Sequence, residues 1–160
     1  MGEPDTFRAG LKSPAFRKLH DFWSSHCIDG RPPCLNALDL MEIYDVASDL
    51  VIIDLEGELD SVHRYRWRYA GNNLRFLVGV EMTSKYLDEI ATPEMAEISD
   101  RVYGQILRTL EPHLWRQRVT IRKFDRSYVE YDRVPYPVLD RGDRPTHLIG
   151  AYDFEIADTL

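Results

Sequence analysis

A chain of 160 residues, 44% apolar and 29% charged, suits one domain with a sizeable core and needs no disulfide or metal staple. Its 27 acidic against 20 basic residues give a formal charge of -7, the wrong sign for a general nucleic-acid or anionic-membrane binder. No apolar run nears the roughly 20 residues of a membrane span, and the acidic start Met1–Asp5 lacks the apolar stretch of a secretory signal. Cys27 and Cys34 are too few for a secreted disulfide scaffold and too far apart for the tight pair that begins most zinc sites. Reduced thiols and a cytoplasmic location are the expectation, with no nucleic-acid or membrane partner.

In chain order, residues 1–13 are rich in Gly, Pro and polar side chains and read as a flexible arm. Pro14 fits the first turn of a helix, and Phe16, Leu19, Phe22 and Trp23 recur at helical spacing on its apolar stripe. That stripe needs a cover, either the domain's own sheet or the same helix of a second copy. After Asp29-Gly30-Arg31-Pro32-Pro33, Asn36 caps an expected second helix from Ala37 to about Tyr44.

The β-branched run Leu50–Leu55 predicts a strand closed by Glu56-Gly57-Glu58. The next strand places His63, Tyr65, Trp67 and Tyr69 on one face and Arg64, Arg66 and Arg68 on the other, because side chains alternate. Thr83 to Ile90 is expected to be helical. A longer helix starts at Pro93, carries Met95, Ile98, Val102, Ile106, Leu107 and Leu110 on its apolar side, and stops before Pro112. The last third is β: Leu114–Phe124, a turn at Asp125-Arg126-Ser127, a return strand Tyr128–Leu139, and Thr146–Ile156. Pro135 and Pro137 mark the return strand as irregular or an edge. Two strands, inserted helices and three more antiparallel strands make an α+β fold.

At this point the chain resembles a PAS domain, and is most similar to the stand-alone PAS-like proteins of α-proteobacteria. The likeness is carried by Leu19-His20-Asp21-Phe22-Trp23 with the following Gly30-Arg31-Pro32-Pro33, and by Arg66-Trp67-Arg68-Tyr69-Ala70-Gly71-Asn72. Gly79-Val80-Glu81-Met82-Thr83-Ser84-Lys85-Tyr86-Leu87 and Ile149-Gly150-Ala151 complete it, so that it spans Phe16 to Phe154. Asn72 stands where a threonine is usual and Ser84 where a glycine is usual. The resemblance implies a five-stranded antiparallel sheet with helices on one face and an N-terminal helical extension. The expected division is 1–13 arm, 14–48 extension, 49–156 core and 157–160 tail. It implies a sensory or protein-interaction module of bacterial signal transduction.

Two groups of side chains carry the functional expectations. Tyr65, Trp67, Tyr69, Tyr103, Trp115, Val119, Tyr136 and Tyr152 are placed as the lining of a ligand cavity, where rings bury surface and tyrosine hydroxyls orient a small molecule. Phe16, Leu19, Phe22 and Trp23 are placed as a homodimer contact. Arg66, Arg68 and Arg118 are placed on an arginine-rich sheet face for an acidic partner or anionic ligand, provided that their strands, with Arg64, Arg116 and Arg122, are neighbours. The alternative to both is filled core and solvated salt bridges.

No cofactor is expected. A haem would need an axial ligand such as His113, and flavin photochemistry a cysteine between the strands. No phosphate loop, nucleophile elbow or metalloprotease motif is present. The reading is therefore a non-enzymatic module that binds a small ligand, a signalling partner, or both. The alternatives are a small enzyme on a ketosteroid-isomerase-type cone and a purely structural homodimer.

Overall fold

The computed structural model describes residues 5–78, 81–121 and 127–158, with side chains for 5–75, 81–116 and 131–154. Strands β1 (Leu50–Gly57), β2 (His63–Ala70), β3 (Trp115–Ile121), β4 (Ser127–Leu139) and β5 (Pro145–Asp158) form one sheet in the order β2-β1-β5-β4-β3. Every neighbouring pair is antiparallel, and the last strand lies at the centre beside the first. Helices α1 (Thr6–Ala9) and α2 (Pro14–Ser25) precede the sheet. Between β2 and β3 run α3 (Asn72–Val78), α4 (Leu87–Ile90) and α5 (Pro93–Thr109). The α+β architecture with an N-terminal helical extension is as the sequence implies.

Strand alternation divides the core in two. Val51 and Ile53 of β1, Tyr65 and Trp67 of β2, and Leu148 and Tyr152 of β5 pack with Tyr103, Ile106 and Leu107 of α5. The intervening Leu50, Ile52, Val134, Tyr136, Val138, Ile149 and Ala151 face Phe16, Leu19 and Phe22 of α2. This is why β1 reads as an unbroken apolar run: both of its faces are covered. Each buried Leu, Ile, Val or Phe contributes about 1.5–3 kcal/mol of transfer free energy, so the extension adds a second apolar layer of real weight.

The apolar stripe of α2 is therefore covered by its own sheet. Phe16, Leu19 and Phe22 are buried in one chain and are not free to form the expected dimer contact. Trp23, half-buried, donates its indole N–H to the Pro137 carbonyl at 2.8 Å. The preceding segment is also fastened down: Leu11 is buried, Asp5 caps α1 through Arg8 N, and Arg8 forks onto Asp21 at 2.7 and 2.9 Å. Composition alone had suggested a loose arm there.

Several boundaries differ from expectation for local reasons. The second helix is two 3₁₀ segments, Leu35–Ala37 and Leu40–Asp49, with a break at Ile43, and the side chain that caps is Asp39, not Asn36. Asn72–Val78 is an unexpected helix, whereas of Thr83–Ile90 only Leu87–Ile90 is helical. Ser84 and Lys85 instead pair with the outer edge of β2, through Ser84 N to Trp67 O at 2.7 Å and Trp67 N to Lys85 O at 2.9 Å. Ser84 has φ 71°, a left-handed conformation that explains why glycine suits this position. The prolines of β4 fall beyond Arg133, the last residue paired with Trp115 of β3, so that stretch is open on one side and tolerates a missing N–H.

Candidate functional site

Three strands and one helix converge on Arg133. In the ladders it stands opposite Trp115 on β3 and opposite Tyr152 on β5, so Trp115, Arg133 and Tyr152 form one cross-strand row facing α5. Helix α5 lays Ser99 and Tyr103, one turn apart on its inner face, over the guanidinium. Arg133 is 5% exposed, a rare state for an arginine.

Its Nη2 donates to Ser99 Oγ at 3.0 Å, and Nη1 reaches the hydroxyls of Tyr103 and Tyr152 at 3.4 Å each. The guanidinium carbon lies 3.8 Å from the Trp115 ring centroid and 5.6–5.9 Å from those of Tyr103, Tyr131 and Tyr152. Tyr131 and Tyr152 stack on one another at 5.6 Å. Arg133 forms no ion pair with a carboxylate among the described residues. Burying an unpaired charge costs several kcal/mol, of which cation–π contacts return about 0.5–2 kcal/mol apiece.

The surroundings stay neutral. Burial pushes the Tyr103 hydroxyl well above its ordinary range and the Tyr131 hydroxyl up to about 12, with the guanidinium working in the opposite sense on both. The site at neutral pH is one cation inside a ring of uncharged aromatic and hydroxyl groups. Beside it lies a cavity of about 10 Å³, walled by apolar atoms and no larger than one water, bordered by Val51, Tyr103, Arg133, Pro135, Gly150 and Tyr152 among others. Gly150 is what leaves it open: a Cβ there would stand 3.3 Å from Val51 Cγ2 and 3.4 Å from Pro135 Cα.

Of the expected cavity residues, Tyr65, Trp67, Tyr103, Trp115 and Tyr152 do share this side of the sheet. Tyr65 meets Tyr103 edge-on at 5.2 Å, and Tyr103 meets Trp115 at 6.2 Å. Tyr69 does not belong. Arg68 is an extra residue between Trp67, opposite Ile53, and Tyr69, opposite Ile52, and this bulge turns Tyr69 to the other face. There its partly exposed hydroxyl donates to the Ala47 carbonyl at 2.8 Å. Tyr136 does not belong either, because the even positions of β4 face α2. Its hydroxyl bonds His20 Nδ1 at 2.9 Å, and His20 Nε2 contacts Asp5. The side chains of Val119 and Arg118 lie outside the described residues, as does all of Arg122.

The single arginine face is corrected by topology. β2 and β3 are opposite edges of the sheet, so their arginines cannot form one surface. Arg64 forks onto Asp88 at 2.8 and 2.7 Å, Arg68 contacts Asp54 at 3.0 Å, Arg66 reaches the Ser84 carbonyl at 3.3 Å, and Arg116 forks onto Asp132 at 2.7 and 3.1 Å. Arg133 and Ser99 were not anticipated. The usable signal was alternation in Tyr131-Asp132-Arg133-Val134, which puts an arginine on the aromatic parity, but only the β3–β4 register brings Trp115 onto it.

No family model matches this chain, and no curated protein does. Among solved structures, a sensory box sensor histidine kinase from Vibrio cholerae is similar, at 18% identity and a TM-score of 0.38, over 78% of this chain and 93% of that one. A likeness at that score supports nothing further, so fold and site rest on the geometry above. Among the described residues no helix is long and apolar enough to cross a membrane, and no group of three or more His, Cys, Asp and Glu side chains could hold a metal ion.

Proposed function

We propose that this chain is a PAS-like sensory or regulatory module with no catalytic output of its own, and that it answers a small ligand held between α5 and the sheet. The observation that carries this reading is Arg133: a buried, incompletely bonded cation in an aromatic layer, next to a cavity left by Gly150. A core that existed only for stability would place an apolar residue there at lower cost. Sparse polar groups in a ring-lined layer are the features by which proteins orient a small molecule. The antiparallel sheet and the sequence phrases quoted above are what favour the PAS-like family.

The signal would pass as a shift in population between two packings of α5 on the sheet. Because both sheet faces share the central strands β1, β5 and β4, repacking on the α5 side would be felt by α2 on the other. A partner protein, or a second copy, would have to engage a surface other than the covered stripe of α2. A ketosteroid-isomerase-type enzyme calls for a buried carboxylate beside the cavity. The residues that border this one include Arg133, Tyr103 and Tyr152 and no Asp or Glu.

Native mass spectrometry of the purified protein, beside its denatured mass, tests the reading. A reproducible small added mass released on denaturation is expected. A bare subunit from every preparation, including one exposed to a cell-extract metabolite fraction, would contradict it.

A further inference from the structure

The polar side-chain atoms left without a partner in the interior are biased in kind. Among the described residues they are Trp67 Nε1, Trp115 Nε1, Arg133 Nε and Thr146 Oγ1, together with the Tyr65 hydroxyl, which makes no well-formed bond but lies near enough to the Asp100 carboxylate for it to help raise the Tyr65 pKa. The first three can only donate, the two hydroxyls can donate or accept, and no side-chain amide oxygen or carboxylate is among them. Trp67, Trp115 and Tyr65 belong to one apolar cluster under α5, and of the three Trp115 stands against Arg133, since Trp67 and Tyr65 are on β2 at the opposite edge of the sheet. A buried positive charge with an unbonded Nε–H, packed on a ring whose own N–H is unbonded, is complementary to an acceptor that carries one negative charge.

The guanidinium also shows which of its atoms are spoken for. A guanidinium has five N–H groups. Nη1 is directed at Tyr103 and Tyr152 and Nη2 at Ser99, which leaves Nε–H and one hydrogen on Nη2. Nε and Nη2 are the pair by which Arg8, Arg64 and Arg116 of this same chain grip Asp21, Asp88 and Asp132. Arg133 keeps Nε of that pair unengaged, 5% exposed, with the planar Trp115 ring closing one face.

We propose that the α5–sheet layer binds a small monocarboxylic acid as its anion, with the carboxylate on Arg133 and the apolar remainder among the rings. This deepens the sensor reading and rests on it. One charge neutralises one charge, whereas a phosphate dianion would leave a net negative charge among Tyr103, Trp115 and Tyr152. The planar fork suits a carboxylate better than a spherical halide. The resting cavity of about 10 Å³ is smaller than any such acid, so the acid must lift α5 slightly, which ties binding to a change in packing.

The test uses the whole chain with potassium acetate, propionate and benzoate, each against its amide and against potassium chloride at equal ionic strength. Thermal melting and tryptophan fluorescence are the readouts. The carboxylates are expected to raise Tm in a saturable way, while acetamide, propionamide, benzamide and chloride do not. Arg133→Met should weaken the response by about 10-fold or more, the equivalent of one charge-assisted hydrogen bond. Gly150→Ala, which narrows the cavity without touching the cation, should weaken it too and serves if the methionine variant misfolds. Equal effects of acid and amide, no saturable effect of any acid, or an undiminished response in both variants would overturn the proposal. An uncharged mass retained in native mass spectrometry alongside a silent acid panel would overturn this inference and leave the sensor reading standing.

Discussion

Arg133 and Trp115 face each other across the β3–β4 ladder, with the guanidinium carbon 3.8 Å from the indole centroid. Neither side chain is polar-satisfied: Arg133 Nε and Trp115 Nε1 are both buried without a partner. The pair is thus held together by the ring's attraction for the cation, with donor capacity left over.

That balance predicts the stability of variants without ligand. Arg133→Met removes an unpaired buried charge and keeps an unbranched side chain, so urea unfolding should show it as stable as the parent or more so by up to about 2 kcal/mol. Arg133→Glu places an unpaired negative charge among hydroxyls and rings, and should cost about 3 kcal/mol or more. A methionine variant that unfolds would mean that Arg133 also holds the fold together, and the ligand test would then rest on Gly150→Ala.

The two-layered core makes Leu19 and Ile106 equivalent in kind, one under α2 and one under α5, each fully buried. Leu19→Ala and Ile106→Ala should each cost about 2–5 kcal/mol by denaturant unfolding. For Leu19→Ala the loss should not depend on protein concentration, because the stripe of α2 packs within one chain. A concentration-dependent midpoint would return that stripe to a dimer contact.

Ser84 carries a left-handed φ of 71° while its N–H holds the edge of β2. Ser84→Gly should relieve that strain and stabilise the fold by about 0.5–1 kcal/mol, after allowing for the freer unfolded chain. Gly71→Ala should do the reverse. Its Cβ would fall 2.3 Å from the Ser48 carbonyl oxygen, and it should cost about 2 kcal/mol or more through forced backbone movement.

Two carboxylate–histidine contacts give opposite pH dependences. Asp100, 2.7 Å from His63 Nε2, raises the His63 pKa, with burial working against it. Protonated His63 therefore stabilises the fold fully below the unfolded value near 6.5, and that contribution fades as pH rises through the higher folded value. Burial works to raise the Asp54 pKa, yet hydrogen bonds from His147 and Arg68 bring it below normal, so its contribution is present above about pH 4 and lost as pH falls through the folded value. Melting against pH should slope down on both sides. His63→Gln should flatten only the upper limb, by less than about 1 kcal/mol since Asp100 is half exposed.

Much of the fold was legible because it rests on periodicity. The alternation of β2 and β5 and the stripe of α5 with Pro93 at its start read directly from residue order, and so did the two-plus-three division of the strands. The sequence left three features open. Whether α2 met its own sheet or a copy depended on β4 having a second apolar face, and Pro135 and Pro137 hid Val134, Tyr136 and Val138 as a strand stripe. The bulge at Arg68 moved Tyr69 without any glycine to announce it. At the site, the rings were found by composition, but the cation was missed because Arg133 becomes special only when Trp115, Tyr152 and Ser99 close on it from three other elements.

The most direct measurement is the Nε–Hε resonance of Arg133 by nitrogen-15 NMR, assigned with Arg133→Met. A buried guanidinium under Trp115 should give a slowly exchanging, ring-shifted signal that moves further on titration with propionate and stays put with propionamide. A fast-exchanging signal at the position of exposed arginines, indifferent to both, would contradict the site.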